Sequence, residues 1–173
     1  MRIRKIPSYL EEQADCLTEL RLEQNEERYE GTHKERTGVV QSSHLGMCRR
    51  AYYTEYIGIL AELIVRDILD KDPVVSEYTV STFIKNADLV SNDCDIRYVA
   101  NGENKRISVK GCEGALKANK QAINSEDATT VVFIKFIGKD SYEIHKYSPE
   151  QIKSWEVKSA FSEYYFNDLS KTL

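Results

Sequence analysis

Three side chains near the middle of the chain have types and spacing that can do chemistry together: Asp95, Ser108 and Lys110. They fall on two segments, Asp-Cys-Asp-Ile-Arg-Tyr-Val-Ala over 93–100 and Lys-Arg-Ile-Ser-Val-Lys over 105–110, separated by Asn101-Gly102-Glu103-Asn104. Ile96 and Tyr98 alternate with Asp95, Arg97 and Val99, and Ile107 and Val109 alternate with Arg106, Ser108 and Lys110, so both arms read as strands. The Asn-Gly pair supplies the hairpin turn. Side chains at i and i+2 share a face of a strand, so Ser108 and Lys110 point the same way and the facing arm can bring Asp95 beside them. A carboxylate next to an ammonium is the minimum kit for a metal-dependent hydrolase.

The flanking elements must position these groups. Residues 57–69 give the strongest helical pattern, with Ile57, Leu60, Ala61, Ile64, Val65 and Ile68 forming a core-facing stripe. Glu62 falls at the edge of that stripe beside the bare surface of Gly58, where a carboxylate needs solvent or a partner, and a metal would be one. Ile59 and Leu63 form a second apolar strip, which calls for cover by the N-terminal helix or by another subunit. Asp72-Pro73 ends the helix, and 75–84 reads as a first strand. Asp88 and Asp93 lie in the polar approach to the hairpin and compete with Asp95 as a ligand; Asp95 is preferred because the burial of Ile96 and Tyr98 fixes its direction.

After Lys110 and Gly111, residues 113–123 read as a short helix, 129–137 as a strand buried on both faces, and 142–147 as an alternating strand carrying His145. Ser148-Pro149-Glu150-Gln151 has the form of a capping box and opens a C-terminal helix with Ile152, Trp155, Phe161, Tyr164 and Tyr165 on its packing face. At the other end, 7–29 reads as an acidic helix and 30–50 as loop, marked by Gly31, Gly38, Gly46 and Ser42-Ser43. The expected architecture is α/β: an αβββαβ core over 51–137 with a central mixed sheet flanked by helices. An N-terminal helix and basic loop (1–50) precede it, and a further strand and C-terminal helix (138–173) complete one domain.

The residues at the centre of this core carry a resemblance. An Asp-Ile opening one strand, a Gly-containing turn and Ile107-Ser108-Val109-Lys110 closing the next resemble the PD-(D/E)XK nuclease superfamily, which includes type II restriction endonucleases and archaeal Holliday junction resolvases. Gly58-Ile59-Leu60-Ala61-Glu62 has the form of that superfamily's helical Gly-x-x-x-Glu, and the likeness runs from about Tyr56 to Ile137. The superfamily usually carries an acidic residue or Gln two positions before the Lys; this chain has Ser108. The resemblance implies a restriction endonuclease-like fold and metal-dependent hydrolysis of DNA. Asp95 would be the principal ligand of Mg²⁺ or Mn²⁺, Glu62 a second carboxylate, and the backbone carbonyl of Val109 a third ligand. Lys110 would position or deprotonate the attacking water. Some members of the superfamily also have Ser two positions before the Lys and take the second carboxylate from a helix; in this chain Glu62 is the first choice, Glu113 the second and Glu126 the third.

The resemblance further implies a site-specific endonuclease acting on double-stranded DNA as a homodimer, from a bacterial or phage source. A structure-selective, junction-resolving nuclease is the alternative within the same chemistry, and a catalytically silent DNA-binding or interaction module the alternative outside it. Charge bears on all three. The 173 residues have a formal net charge of −4, which counts against avid nonspecific binding to nucleic acid. The acids concentrate in 11–30, however, and cations gather before and after the hairpin: Lys34, Arg36, Arg49 and Arg50 on one side, Lys117 and Lys120 on the other, all candidates for phosphate contact. Cys16, Cys48, Cys94 and Cys112 form no Cys-x-x-Cys pair, and His33, His44 and His145 show no ligand spacing; they read as free thiols and as structural or exposed imidazoles. No apolar run approaches the about 20 residues of a membrane span, which places the expected chain in the cytoplasm.

Overall fold

The computed structural model describes residues 3–21, 44–80, 94–125, 127–160 and 162–169. Its longest element is the helix the apolar stripe demands. α2 (His44–Asp70) buries Ile59, Leu60, Ala61, Leu63, Ile64 and Val65 almost completely. With that many consecutive positions buried, the helix needs cover on two sides. A helix over 8–21, α1, supplies the second side with Leu10 and Ala14. Polar contacts pin the pair: the Tyr9 hydroxyl donates to Asp67, the Tyr52 hydroxyl to Asp15 at 2.8 Å, and Arg21 pairs with Glu55 at 2.8 Å. The second apolar strip is therefore covered within the chain. α2 also begins earlier than expected, taking Gly46, Arg49 and Arg50 into the helix rather than the loop; one interior Gly costs a helix only about 1 kcal/mol, which a helix of 27 residues absorbs.

The other face of α2 rests on a mixed six-stranded sheet of order β1-β7-β6-β4-β3-β2. Its strands are β1 (Arg4–Lys5), β2 (Val75–Val80), β3 (Ile96–Ala100), β4 (Glu103–Glu113), β6 (Thr130–Ile137) and β7 (Ser141–Tyr147). β4 and β6 run parallel and the remaining neighbours antiparallel. The β3–β4 hairpin turns on Asn101 and Gly102 alone, both with positive φ (52° and 77°), the two-residue geometry that Asn-Gly favours and tighter than the four-residue break expected. Ile107, Val109, Val132, Ile134 and Phe136 pack against α2 in the first core, while Val131 and Phe133 face a second core on the opposite side. Gly111 is where the helix comes closest. A Cβ there would overlap the Ile57 carbonyl oxygen and lie 2.8 Å from Ile57 Cγ2.

Two expected helices are cut short to a turn or so, and strands take most of their residues. Residues 113–123 instead finish β4, turn at Gly114 (φ 71°), and continue as β5 (Leu116–Asn119) and the short α3 (Lys120–Ser125). Leu116 and Ala118 are buried between exposed Lys117 and Asn119, a period of two that a strand satisfies and a helix cannot. The C-terminal helix starts as its capping box requires, with Ser148 and Gln151 bonded reciprocally, but α4 (Pro149–Lys153) stops after five residues at Ser154. The chain then forms β8 (Glu156–Ser159) and β9 (Glu163–Asn167), which join β5 in a three-stranded antiparallel sheet of order β5-β9-β8. That small sheet, α3 and α4 cover the second core through Leu116, Ala118, Ile123, Ile152 and Tyr165. No helix among the described residues is long and apolar enough to cross a membrane.

Candidate active site

The ladder fixes which face each candidate occupies. Val109 and Gly111 face α2, so Ser108, Lys110 and Cys112 alternate onto the opposite face, toward the second core. Asp95 stands just before β3, whose Ile96 pairs with Ile107 and points into the first core, which turns Asp95 to the same side as Ser108. The contact is direct. The Ser108 hydroxyl donates to Asp95 Oδ2 at 3.0 Å, and the Val109 backbone N–H donates to the same oxygen at 2.7 Å. Ser108 has no solvent exposure, whereas Asp95 and Lys110 are half-buried. Lys110, two residues further along β4, shares the face of Ser108.

The Val109 carbonyl belongs to this corner. In an extended strand a residue's N–H and C=O are directed at the same neighbour, so the carbonyl faces the edge at which its N–H meets Asp95. β3 pairs with β4 only as far as Ile96 and Ile107, and among the described residues no other strand pairs with this edge of β4 from Ser108 onward. The corner therefore offers a carboxylate and a backbone carbonyl side by side at this edge of β4.

Glu62 stands on α2, on the other side of the sheet from Ser108. α2 runs antiparallel to β4: the Tyr53 hydroxyl donates to Glu113 and Ile57 touches Gly111. From Ile57 to Glu62 the helix rises about 7.5 Å, and from Gly111 back to Val109 the strand covers about 6.6 Å, so Glu62 sits level with Val109 on the α2 side of the sheet. Asp95, Ser108 and Val109 are in contact, Lys110 follows on the same face, and Glu62 shares their level with the sheet between. Glu113, the next choice, is on the α2 face and engaged by Tyr53, whose proton it holds above the usual tyrosine range. Asp88, Asp93, Glu126, His33, Lys34 and Arg36 lie outside the described residues, as do the side chains of His44, Arg49 and Arg50. Lys120 is paired with Glu163 at 3.0 Å, and Lys117 reaches over the Tyr164 ring. Among the described residues no three His, Cys, Asp or Glu side chains gather as a metal cage.

Sequence reasoning missed a polar pair on the same face. His145, read as structural or exposed, is 8% exposed, with Nε2 3.4 Å from Oε2 of the equally buried Glu143. Lys110 aligns with Phe133 and Phe133 with His145, so the pair lies two strands from the lysine, about 10 Å across the sheet. Its signal in the sequence was the Glu-x-His alternation of a strand with one buried face. Nearby, burial pushes the Cys112 thiol up to about 11, leaving it a protonated donor to the Ile134 carbonyl.

Set against family models, curated proteins and solved structures, the chain matches none. The site must be argued from its own geometry.

Proposed function

We propose that the chain is a metal-dependent phosphodiesterase acting on DNA, an endonuclease of restriction type working as a homodimer on a restriction endonuclease-like sheet. The observation that carries this reading is the convergence of Asp95, Ser108 and the Val109 backbone at an edge of β4 that no described strand pairs beyond Ile107, with Lys110 following on the same face. The donors fit the ion. A carboxylate and a carbonyl are hard oxygens, and Mg²⁺ is commonly held by one or two carboxylates together with waters and substrate phosphate. Asp95 and the Val109 carbonyl would hold the ion, with Glu62 reaching it past this edge, directly or through water. When bound, the ion supplies Lewis-acid polarisation of the phosphate and a lowered pKa for its water.

The remaining steps belong to the chain. Ser108 is a positioning residue: its hydroxyl and the Val109 N–H fix Asp95 Oδ2 from two directions, so the carboxylate is held without searching rotamers. Lys110 orients the attacking water and offsets the negative charge that builds on the phosphate oxygens. Two symmetry-related copies of the site would cut both strands of a symmetric target.

The test is cleavage of a panel of plasmid, linear duplex and four-way junction with Mg²⁺ or Mn²⁺, comparing wild type with Asp95→Asn and Lys110→Ala. Metal-dependent cutting of linear duplex that is lost in both variants is expected; junction cutting alone would exchange the restriction reading for a resolving one. No cutting of any substrate overturns the catalytic reading.

A further inference from the structure

The small sheet presents a face that hydrolysis at Asp95 does not use. Cross-strand neighbours in an antiparallel ladder share a face. Lys117 pairs with Phe166 and Phe166 with Glu156; Asn119 pairs with Tyr164 and Tyr164 with Lys158. The alternate positions Leu116, Ala118 and Tyr165 are sealed in the second core. Tyr164 and Phe166 therefore stand half-exposed on the outer face of the central strand, their ring centroids 6.5 Å apart. Cations flank both rings: Lys158 Nζ lies 3.6 Å from the Phe166 centroid and Lys117 Nζ 5.8 Å from that of Tyr164.

Two half-exposed rings side by side on the outer face, each with a lysine beside it, offer flat surfaces and positive charge to an anionic partner with flat groups. We infer that this face binds single-stranded nucleic acid, bases on Tyr164 and Phe166 and phosphates on Lys117 and Lys158. The spacing favours a single strand over a duplex. The ring separation is nearly twice the about 3.4 Å rise of a stacked strand, so the rings receive bases that are already splayed apart, and a duplex keeps its bases closed to such rings. The local acids do not bar an anion. Glu156 and Glu163 are exposed and paired at 3.6 Å with Lys158 and 3.0 Å with Lys120, surface pairs that a phosphate competes with at little cost. Lys158 is equally free to leave the Phe166 ring for a phosphate, since exposed cation–π contacts are weak.

Binding is separable from cleavage, so the experiment runs in EDTA. Fluorescence anisotropy of labelled oligo-dT, oligo-U and a duplex of equal length is titrated with wild type, Tyr164→Leu, Phe166→Leu and Lys117→Ala/Lys158→Ala. Both single strands are expected to bind more tightly than the duplex, and each Leu variant to lose about tenfold in affinity with an unchanged salt slope. The double Ala variant should lower the slope of log affinity against log salt by about 1.4. Preference for oligo-dT or oligo-U distinguishes DNA from RNA as the source of the strand. Duplex bound as tightly as the single strands overturns the proposal, as does wild-type affinity in both Leu variants with their circular dichroism unchanged. Failure here leaves the hydrolytic reading of Asp95 untouched, because that reading is scored by metal-dependent cutting.

Discussion

Asp95 caps a strand in this structure and is the proposed metal ligand, and replacing it separates the two roles. As a strand cap, its Oδ2 receives Val109 N–H at 2.7 Å and the hydroxyl of fully buried Ser108 at 3.0 Å. Asp95→Ala removes the acceptor and strands two donors, each costing about 1–3 kcal/mol when buried. Because Asp95 is only half-buried, water can replace part of the loss, and the expected destabilisation is about 2–4 kcal/mol. Asp95→Asn keeps a carbonyl oxygen in place and forfeits only the charge assistance, roughly half the strength of each bond, or about 2 kcal/mol in all. As a metal ligand the ranking differs: Asn is a poor ligand, and both variants should lose more than the about 10–100-fold in activity that loss of an outer-shell partner costs. Urea unfolding and duplex cleavage on the same preparations measure the two effects. Cutting near the wild-type rate by Asp95→Asn would refute the ligand role and leave Asp95 as a cap alone. Unchanged stability of Asp95→Ala would refute the cap.

Gly111→Ala should destabilise by about 3 kcal/mol, since its Cβ meets helix backbone that cannot move aside, whereas Gly58→Ala, with nothing within 4 Å, should stabilise α2 by about 0.5–1 kcal/mol; urea midpoints decide both. Ser108→Asp sets a second carboxylate beside Asp95, so the variant should melt below wild type in EDTA and gain more from added Mg²⁺ than wild type does, as differential scanning fluorimetry would show. Burial of Tyr52 and Tyr56 against acidic α1 raises both hydroxyls from 10.0 to about 12. Below pH 10 folded and unfolded chains are equally protonated at these sites; as pH climbs toward 12 the unfolded chain loses protons that the folded one keeps, so stability falls across that window, and Tyr52→Phe should flatten the fall in an alkaline urea series.

The hairpin was readable because its information is local. Asn101-Gly102 dictates the turn, Ile96, Ile107 and Val109 dictate the face, and Asp95, Ser108 and Lys110 fall on the other face by alternation. α2 was readable in its centre for the same reason, but its first turns were not, because Gly46 is a local loop signal that a long helix outvotes. The C-terminal sheet was not readable because two periodicities coincide there. Phe161, Tyr164 and Tyr165 sit at helical spacing, and a valid capping box at Ser148 argues for a helix to carry them. The structure resolves the coincidence by burial: Tyr165 is 5% exposed while Tyr164 and Phe166 on either side are not buried, a period of two.

The reason lies in the main sheet. Val131 and Phe133 give β6 a second apolar face that α2 cannot reach, and something must cover it. A long C-terminal helix would hide Val131 and Phe133, yet it would also lie across the face on which Ser108 and Lys110 stand. Covering that face with a small sheet and two short helices, anchored by Leu116, Ile123, Ile152 and Tyr165, buries the apolar residues of β6 while Asp95 and Lys110 stay half-exposed. The demand comes from residues distant in sequence from those that answer it, which is why local patterning between 113 and 167 pointed to helices. A core this divided ties the corner to the cover: Ile152→Ala, fully buried beneath the small sheet, should cost about 2–5 kcal/mol and loosen the face that frames Lys110, so its cutting rate should fall even at temperatures where circular dichroism shows the variant folded. Cutting at the wild-type rate by a folded Ile152→Ala would show that the corner is held by Asp95, Ser108 and Val109 alone.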